Sequence, residues 1–486
     1  MNRNVGGQPD RRLRQRRKKQ YGGVIFYALI VVIMALILAI AFLLLNSGDE
    51  GQVGTGDGTG TLAGNTSDDL TANSSDTADG TSAEDTTEAV TEVLDDVITY
   101  SEATILSVGD IMFHMPQINY AEAVGEDGYY DFSNSFKYIS EIVSSADYAV
   151  ANFETTLTGE DEGYSGYPSF NAPDDSLDAI IDAGFDMMLF ANNHCYDKRT
   201  SGLLRTQEMF EEYGLSYIGA KESEDDDAYA IVEINGIKVG MINYADDLSG
   251  GNTETRTING IAIRDGDLGL MNLYNLSLLD DFYSEVEDII SEMEDEGVDF
   301  IIAYMHWGTE YRITHTTYQE TVAQELCELG VDVIIGGHPH VIEDTQILTS
   351  EDGTRTTVCF YSLGNFVSNQ NRRTLGDTTN STYTEGGLMV MLTIRKYSTG
   401  EVYLADVEEI PTFVHRYLSS NGYYAHEIVP LAAALEDPEA YGLTATSYGI
   451  DNATEVYALE LEILGDVIKT YSDGIVLPLI EEKTSG

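Results

Sequence analysis

The stretch YQETVAQELCELGVDVIIGGHPHV, Tyr318–Val341, runs from a helical pattern through Gly330 into a short apolar run and ends on two histidines. Glycine suits the left-handed position just past a helix end. VDVII is a β-branched run of the kind buried inside a parallel sheet. His338 and His340 therefore fall just beyond a strand end, where open α/β sheets place their ligands. Gly336 and Gly337 are expected to take conformations closed to other residues and to let a ligand approach. Pro339 fixes the local φ and stiffens the turn that aims both imidazoles.

The same plan recurs upstream. SLDAIIDAGFDMMLFANNH gives a helix, Gly184, a strand and a polar end. YSEVEDIISEMEDEGVDFIIAYMHWG repeats it with Gly297, and YISEIVSSADYAVANFE reads as a helix followed by a strand. ATILSVGD is a strand ending in Gly-Asp, while AYAIVEINGIKVGMINY and RTTVCFYSLGNF add hairpin-like strands. Helices alternating with apolar strands specify an α/β fold built on parallel strands.

Charge divides the 486 residues sharply. Residues 1–20 carry eight basic residues and one acid, and the remainder carries 17 basic and 82 acidic residues, within an overall net charge of −58. So acidic a chain is excluded as a nucleic-acid binder, because phosphate backbones need Lys and Arg. Between the two regimes, Val24–Leu45 holds 22 residues without a charge. As a helix it would span about 33 Å, enough for a hydrocarbon core. The basic cluster before it predicts a cytoplasmic N-terminus and a single-pass topology, with all that follows outside the cytoplasm. The expected plan is a basic cytoplasmic tail (1–23), a transmembrane helix (24–45), a disordered acidic linker (46–98) poor in apolar residues, a main α/β domain (99–431) and a mostly helical C-terminal appendage (432–486). Three cysteines, Cys195, Cys327 and Cys359, provide no disulfide framework.

The strand ends gather Asp110 and His114 (GDIMFH), Asn152 and Glu154 (NFE), and Asn192, Asn193, His194 and Asp197 (NNHCYD). His306 and Glu310 (HWGTEY), His338 and His340, and Asn365 (SLGNF) complete the set. Five of the eight histidines in the chain fall here. Mixed His, carboxylate and Asn donors suit Mn, Zn or Fe rather than a thiolate site. Two such ions can activate water and clamp a phosphoryl group. His194 is the candidate general acid, oriented by Asp197. His415 and His426 are read as structural, and Trp307 as packing beside the site.

In order along the chain, SVGDIMFH, ANFETTLT, FANNHCYD, MHWGTEY, GGHPHV and YSLGNF together resemble the poly-γ-glutamate capsule biosynthesis proteins of the CapA type, over roughly residues 102–430. The resemblance implies a layered α/β/β/α sandwich like that of calcineurin-type metallophosphoesterases. It also implies a membrane-anchored protein on the outer face of a bacterial cell, serving synthesis, export or anchoring of an anionic polymer, alongside other capsule-synthesis membrane proteins. By that resemblance Asp110, His114, Glu154, Asn193, His306, His338 and His340 hold two divalent metals. Two departures stand out: Asp110 and His114 lie four apart where the wider superfamily has two, and NFE replaces its bridging aspartate.

A polyanionic ligand meeting this acidic chain needs local positive charge. Lys198, Arg199, Arg312, Arg372 and Arg373 fall near the motif loops. The substrate-contacting set is therefore Asn152, Asn192, Glu310, Arg312, Asn365, Arg372 and Arg373. Two other functions fit the same residues: an extracellular metal-dependent phosphoesterase, or a non-catalytic polymer-binding scaffold.

Overall fold

Four strands form the first half of the α/β domain, each parallel to the one before: β1 (Tyr100–Ile111), β2 (Tyr148–Phe153), β3 (Met187–Leu189) and β4 (Ser216–Ile218). A hairpin, β5 (Tyr229–Ile234) and β6 (Ile237–Asp246), opens a second sheet. A small separate hairpin follows, β7 (Thr257–Ile258) and β8 (Ile261–Ala262). Then β9 (Leu273–Tyr274) and β10 (Phe300–His306) both pair with β6, and β11 (Val333–Gly337) pairs with β10, all parallel. The hairpin β12 (Thr345–Thr349) and β13 (Thr356–Phe360) closes that sheet's edge.

The helix–glycine–strand units expected from sequence are present. Helix Ser176–Ala183 stops at Gly184 with φ 108°, and helix Thr317–Leu329 stops at Gly330 with φ 107°. Helix Leu279–Asp295 ends two residues before Gly297, whose φ is 75°. Helix Thr317–Leu329 is fixed at its start by a capping box. Gln319 N donates to Thr316 Oγ1, and Gln319 Oε1 accepts from Thr316 N at 2.7 Å.

The sheets are mixed rather than wholly parallel. Beyond Gly337 the helix–strand alternation stops, and from Gly386 the chain runs antiparallel. After β14 (Asn365–Val367), which pairs with β1, come β15 (Gly386–Tyr397), β16 (Val402–Leu418) and β17 (Tyr424–Pro430). They extend the first sheet to the order β17-β16-β15-β1-β2-β3-β4. The second sheet runs β12-β13-β11-β10-β6-β5.

Alternation along each strand sorts side chains to two faces. Ile105, Val150, Met187 and Val390 of the first sheet meet Val239, Met241, Ile302 and Val333 of the second in one buried cluster. The opposite faces are covered by helices. Leu106, Ala149 and Ala151 pack with Ile180, Leu203 and Phe210, while Ile242, Ala303 and Ile334 pack with Val286, Met293, Val322 and Leu326. The layers are thus helix, sheet, sheet, helix. Polar contacts also link the sheets, among them Ser107 Oγ to Tyr304 OH at 3.1 Å. C-terminal helices Leu431–Glu436, Ile450–Leu464 and Val467–Gly474 add to the fold, and Leu464 and Ile468 enter the inter-sheet cluster itself.

This computed structural model describes residues 98–446, 448–475 and 477. The basic tail, the span Val24–Leu45 and the acidic linker up to residue 97 lie outside the described residues. Among the described residues no helix is long and apolar enough to cross a membrane. The three cysteines are buried and free.

Candidate metal centre

Strand register brings the polar residues together. Asp110 pairs with Asn152 on β2 and with Asn365 on β14, and His306 at the end of β10 pairs with Gly337 of β11. A Cβ at Gly337 would lie 2.9 Å from Asp110 Oδ1 and 3.9 Å from His306 Nδ1. Glycine there leaves room for carboxylate and imidazole to meet across the two sheets. At Gly336 a Cβ would collide with Tyr361 O. Both glycines serve close approach. The left-handed backbone expected of them falls instead on the histidines, with φ 96° at His338 and 59° at His340. A non-glycine residue held there costs about 1–3 kcal/mol and persists only where its surroundings over-determine it.

Asp110, Glu154 and His306 are buried and bring potential ligand atoms within 4.8 Å of one another. They form a possible metal-binding triad. Around it, His340 Nδ1 lies 3.0 Å from Asp110 Oδ2, and His340 Nε2 lies 3.7 Å from Glu154 Oε1. The His338 ring sits 4.9 Å from that of His306 and 6.0 Å from that of His340. Asn193 Oδ1 is 3.1 Å from His306 Nε2. Asn152 Nδ2 donates to Asp110 Oδ1 at 2.7 Å and to Glu154 Oε2 at 3.2 Å. Asn192 Nδ2 in turn donates to Asn152 Oδ1 at 3.1 Å and to Phe153 O at 2.9 Å. These amides fix the carboxylates in place.

Two buried atoms in this group have no hydrogen-bond partner, Glu154 Oε1 and His338 Nδ1. Such orphans are expensive unless something binds them, and carboxylate oxygen with imidazole nitrogen is the donor set of a divalent transition metal. Burial, then the charges of Asp110 and Glu310, pushes Glu154 well above the usual carboxylate range. Two like carboxylates packed together disfavour double ionisation, which a cation would relieve. Burial, reinforced by neighbouring histidines, pulls His306 well below its ordinary value, and burial with His340 pulls His338 down to about 3. Both rings are therefore neutral and able to ligate.

His194 Nδ1 lies 2.8 Å from Asp197 Oδ2, as expected for an oriented imidazole. Asp197 also accepts from Phe170 N at 2.7 Å. Sequence reasoning missed the third member of this group. Asn259, in the turn between β7 and β8, places Nδ2 3.2 Å from His194 Nδ1 and 3.4 Å from Asp197 Oδ1. Its Asn-Gly dipeptide signals a turn, but nothing local says where that turn lands. Phe170 was missed as well. Its ring packs edge-on against His194 at 4.7 Å and His114 at 5.0 Å. Tyr311, whose ring lies 6.2 Å from that of His340, is the remaining addition.

Other expected residues are more peripheral. His114 caps helix Met115–Val124, stands outside the triad, and has Nδ1 3.4 Å from Asn369 N. Burial, then His340 and His194, lowers it to about 3. Asn365 Nδ2 is used by Gln370 Oε1 and Thr384 O. Glu310 and Arg312 are exposed. Lys198 and Arg199 bond Ser165 Oγ and Ala262 O. Arg372 is held by Glu385 at 2.9 Å and Glu455 at 2.6 Å, and Arg373 stacks 3.3 Å above the Tyr448 ring. Trp307 is buried beside the histidines, with Nε1 donating to Tyr361 O at 2.9 Å.

The capsule biosynthesis protein CapA of Bacillus anthracis is 29% identical over 274 residues, covering 55% of this chain and 60% of that protein. The aligned region therefore spans about three fifths of that relative's length. The PGA biosynthesis protein CapA of Bacillus subtilis is 27% identical over 321 residues, covering 64% of this chain and 74% of its own. A sulfate thiohydrolase structure, SoxB of Thermus thermophilus with glycerol, aligns over 78% of this chain and 62% of its own at 11% identity. Its TM-score of 0.33 carries no inference. The family model described as "Bacterial capsule synthesis protein PGA_cap" matches residues 104–370, more than half of the sequence. With its layered α/β fold and possible metal-binding triad, this chain belongs to the PGA_cap family of bacterial capsule synthesis proteins.

Proposed function

We propose that this chain is a membrane-anchored, extracytoplasmic factor in the synthesis, export or anchoring of a poly-γ-glutamate capsule, with a metal-dependent hydrolytic site at its strand ends. The observation that carries the reading is the buried Asp110–Glu154–His306 group with its unpartnered Glu154 oxygen. The printed names of the two Bacillus relatives support the polymer. The uncharged stretch Val24–Leu45 behind a basic tail supports the anchor, cytoplasm-facing at its N-terminus. Its partners would be the membrane, the polymer and other membrane proteins of capsule synthesis.

Asp110, Glu154, Asn193, His306, His338 and His340 are the residues that would hold two divalent ions of the Mn, Zn or Fe type. Bound there, the ions would supply Lewis acidity toward a carbonyl or phosphoryl oxygen. The chain's own groups divide the remaining work. Asn152 and Asn192 hold the carboxylates. Asp197 accepts the Nδ1 proton of His194 and is itself held by Asn259 Nδ2, leaving Nε2 as the nitrogen able to pass a proton to a leaving oxygen.

A phosphoesterase acting on extracellular phosphodiesters is the second reading, favoured by the family's metallophosphoesterase-like fold and by the His194–Asp197 pair. One experiment separates the two. The full-length protein and a His338→Ala/His340→Ala variant are assayed for metal content, for shortening of poly-γ-glutamate and for cleavage of bis-p-nitrophenyl phosphate. Metal lost in the variant, together with polymer shortening, supports the proposal. Phosphodiester cleavage alone supports the second reading. A wild type that takes up no Mn, Zn or Fe sinks both.

A further inference from the structure

We propose that Arg373 and Arg416 form a carboxylate-binding subsite beside the metal centre, holding a side-chain carboxylate of the polymer while another part of the same chain lies at the strand ends. This rests on the capsule-polymer reading above and identifies the positive charge that reading requires.

Beyond residue 20 the chain carries 17 basic residues against 82 acidic ones, so an arginine ordinarily has an acid at hand. Arg205 pairs with Asp174, Arg372 with Glu385 and Glu455, and Arg395 with Glu102. Arg373 and Arg416 make no ion pair among the described residues. They are also tied to one segment, since Arg416 Nε donates to Asn369 Oδ1, four residues before Arg373. Burial, and with it the Arg373 charge, depresses Arg416 below its ordinary value. Glu385 offsets part of this charge but is itself paired with Arg372, so two guanidinium groups that hold no ion pair of their own are an arrangement that an arriving anion would relieve.

Both forks are held open by aromatic rings. The Arg373 guanidinium carbon lies 3.3 Å from the Tyr448 ring centroid, and that of Arg416 lies 3.6 Å from the Tyr424 ring centroid. Stacking of this kind orients the planar group and leaves its edge for bidentate binding of a carboxylate. Arg416 commits Nε to Asn369 Oδ1 at 3.0 Å and also bonds the Tyr424 side chain, which leaves the rest of its fork for an anion.

The same short segment ties the pair to the centre. Asn369 N lies 3.4 Å from His114 Nδ1, and His114 shares the Phe170 ring with His194. Asn369 Oδ1 also lies 3.0 Å from His426 Nε2. The next residue, Gln370, places Nε2 3.4 Å from the hydroxyl of Tyr311, which borders His340. A polymer with a carboxylate on every residue can engage both places at once. Arg372, although adjacent in sequence, is neutralised by its two glutamates and takes no part.

The test uses a fluorescently labelled γ-linked glutamate decamer and the full-length, Mn-loaded protein, read by fluorescence anisotropy at several salt concentrations. The wild type should bind. R373Q and R416Q, which keep much of the side-chain stem, should each weaken binding by about tenfold and flatten its salt dependence, with metal content and melting temperature unchanged. The R373A/R416A variant should bind weaker still. Equal affinity in the wild type and the glutamine variants overturns the subsite and leaves the capsule reading standing. A wild type that does not bind the decamer overturns both.

Discussion

The two sheets bring different chemistry to one site. The first sheet supplies acids and amides from the ends of β1, β2 and β3: Asp110, Asn152, Glu154, Asn192 and Asn193. The second supplies imidazoles from β10 and β11: His306, His338 and His340. Neither half is a ligand set by itself. The spacing between Asp110 and His306 is set by the apolar cluster in which Ile105 and Val150 meet Ile302 and Val333. Core packing therefore determines ligand geometry here, and the site comes into being only when the sheets close on each other.

The largest expected effect tests that division directly. Asp110→Ala removes the acid side and His306→Ala the imidazole side, and each should abolish stoichiometric metal uptake measured by mass spectrometry. Full uptake after losing either would show that one sheet suffices. The next effect concerns the proton rather than the metal. His194→Ala should lower turnover of whichever substrate is cleaved by about 10²–10⁴-fold while leaving metal content at the wild-type level. Loss of metal in that variant would move His194 into the ligand set.

A third contrast lies on the second sheet, just past His340. Glu343 is buried, accepts a hydrogen bond from Gln319 Nε2 at 2.7 Å, and is raised by burial from 4.5 to about 8. The folded state thus binds this proton more tightly than the unfolded chain. Its contribution is fully present below pH 4.5 and is lost as the pH rises through about 8. Thermal midpoints of the wild type should fall across that window more steeply than those of Glu343→Gln. Parallel curves would remove Glu343 as the cause. The smallest effect is expected from Arg372→Ala. Its pair with exposed Glu455 should be worth only about 0.2–1 kcal/mol in chemical denaturation, with a further loss at buried Glu385, and decamer binding should not change. A clear loss of binding would transfer the role of Arg373 to its neighbour.

The sequence made the helix–glycine–strand units readable because their signals are local: Gly184 and Gly330 stop helices, and apolar runs lead to polar ends. The donors could be read for the same reason, since each lies in the last two residues of a strand or within four residues beyond one. What could not be read depends on distant pairing. The antiparallel strands β15–β17 have no helix to announce them. Asn259 reaches His194 across 65 positions, and Arg372 finds Glu455 across 83. Gly336 and Gly337 looked like the residues that bend the chain, because glycine tolerates such bends. Their need for it comes instead from Tyr361, Asp110 and His306 in other elements, which no local pattern reveals.

The left-handed backbone at His338 and His340 has a consequence for how such sequences change over time. Glycine or asparagine would sit at those two φ values more easily than histidine. A lineage released from the need for this site would find those replacements within reach and gain backbone ease by accepting them. In other chains of this length and layout, glycine or asparagine at the HPH positions would therefore mark a retired site. Histidine at both, as here, is what the proposed metal site requires.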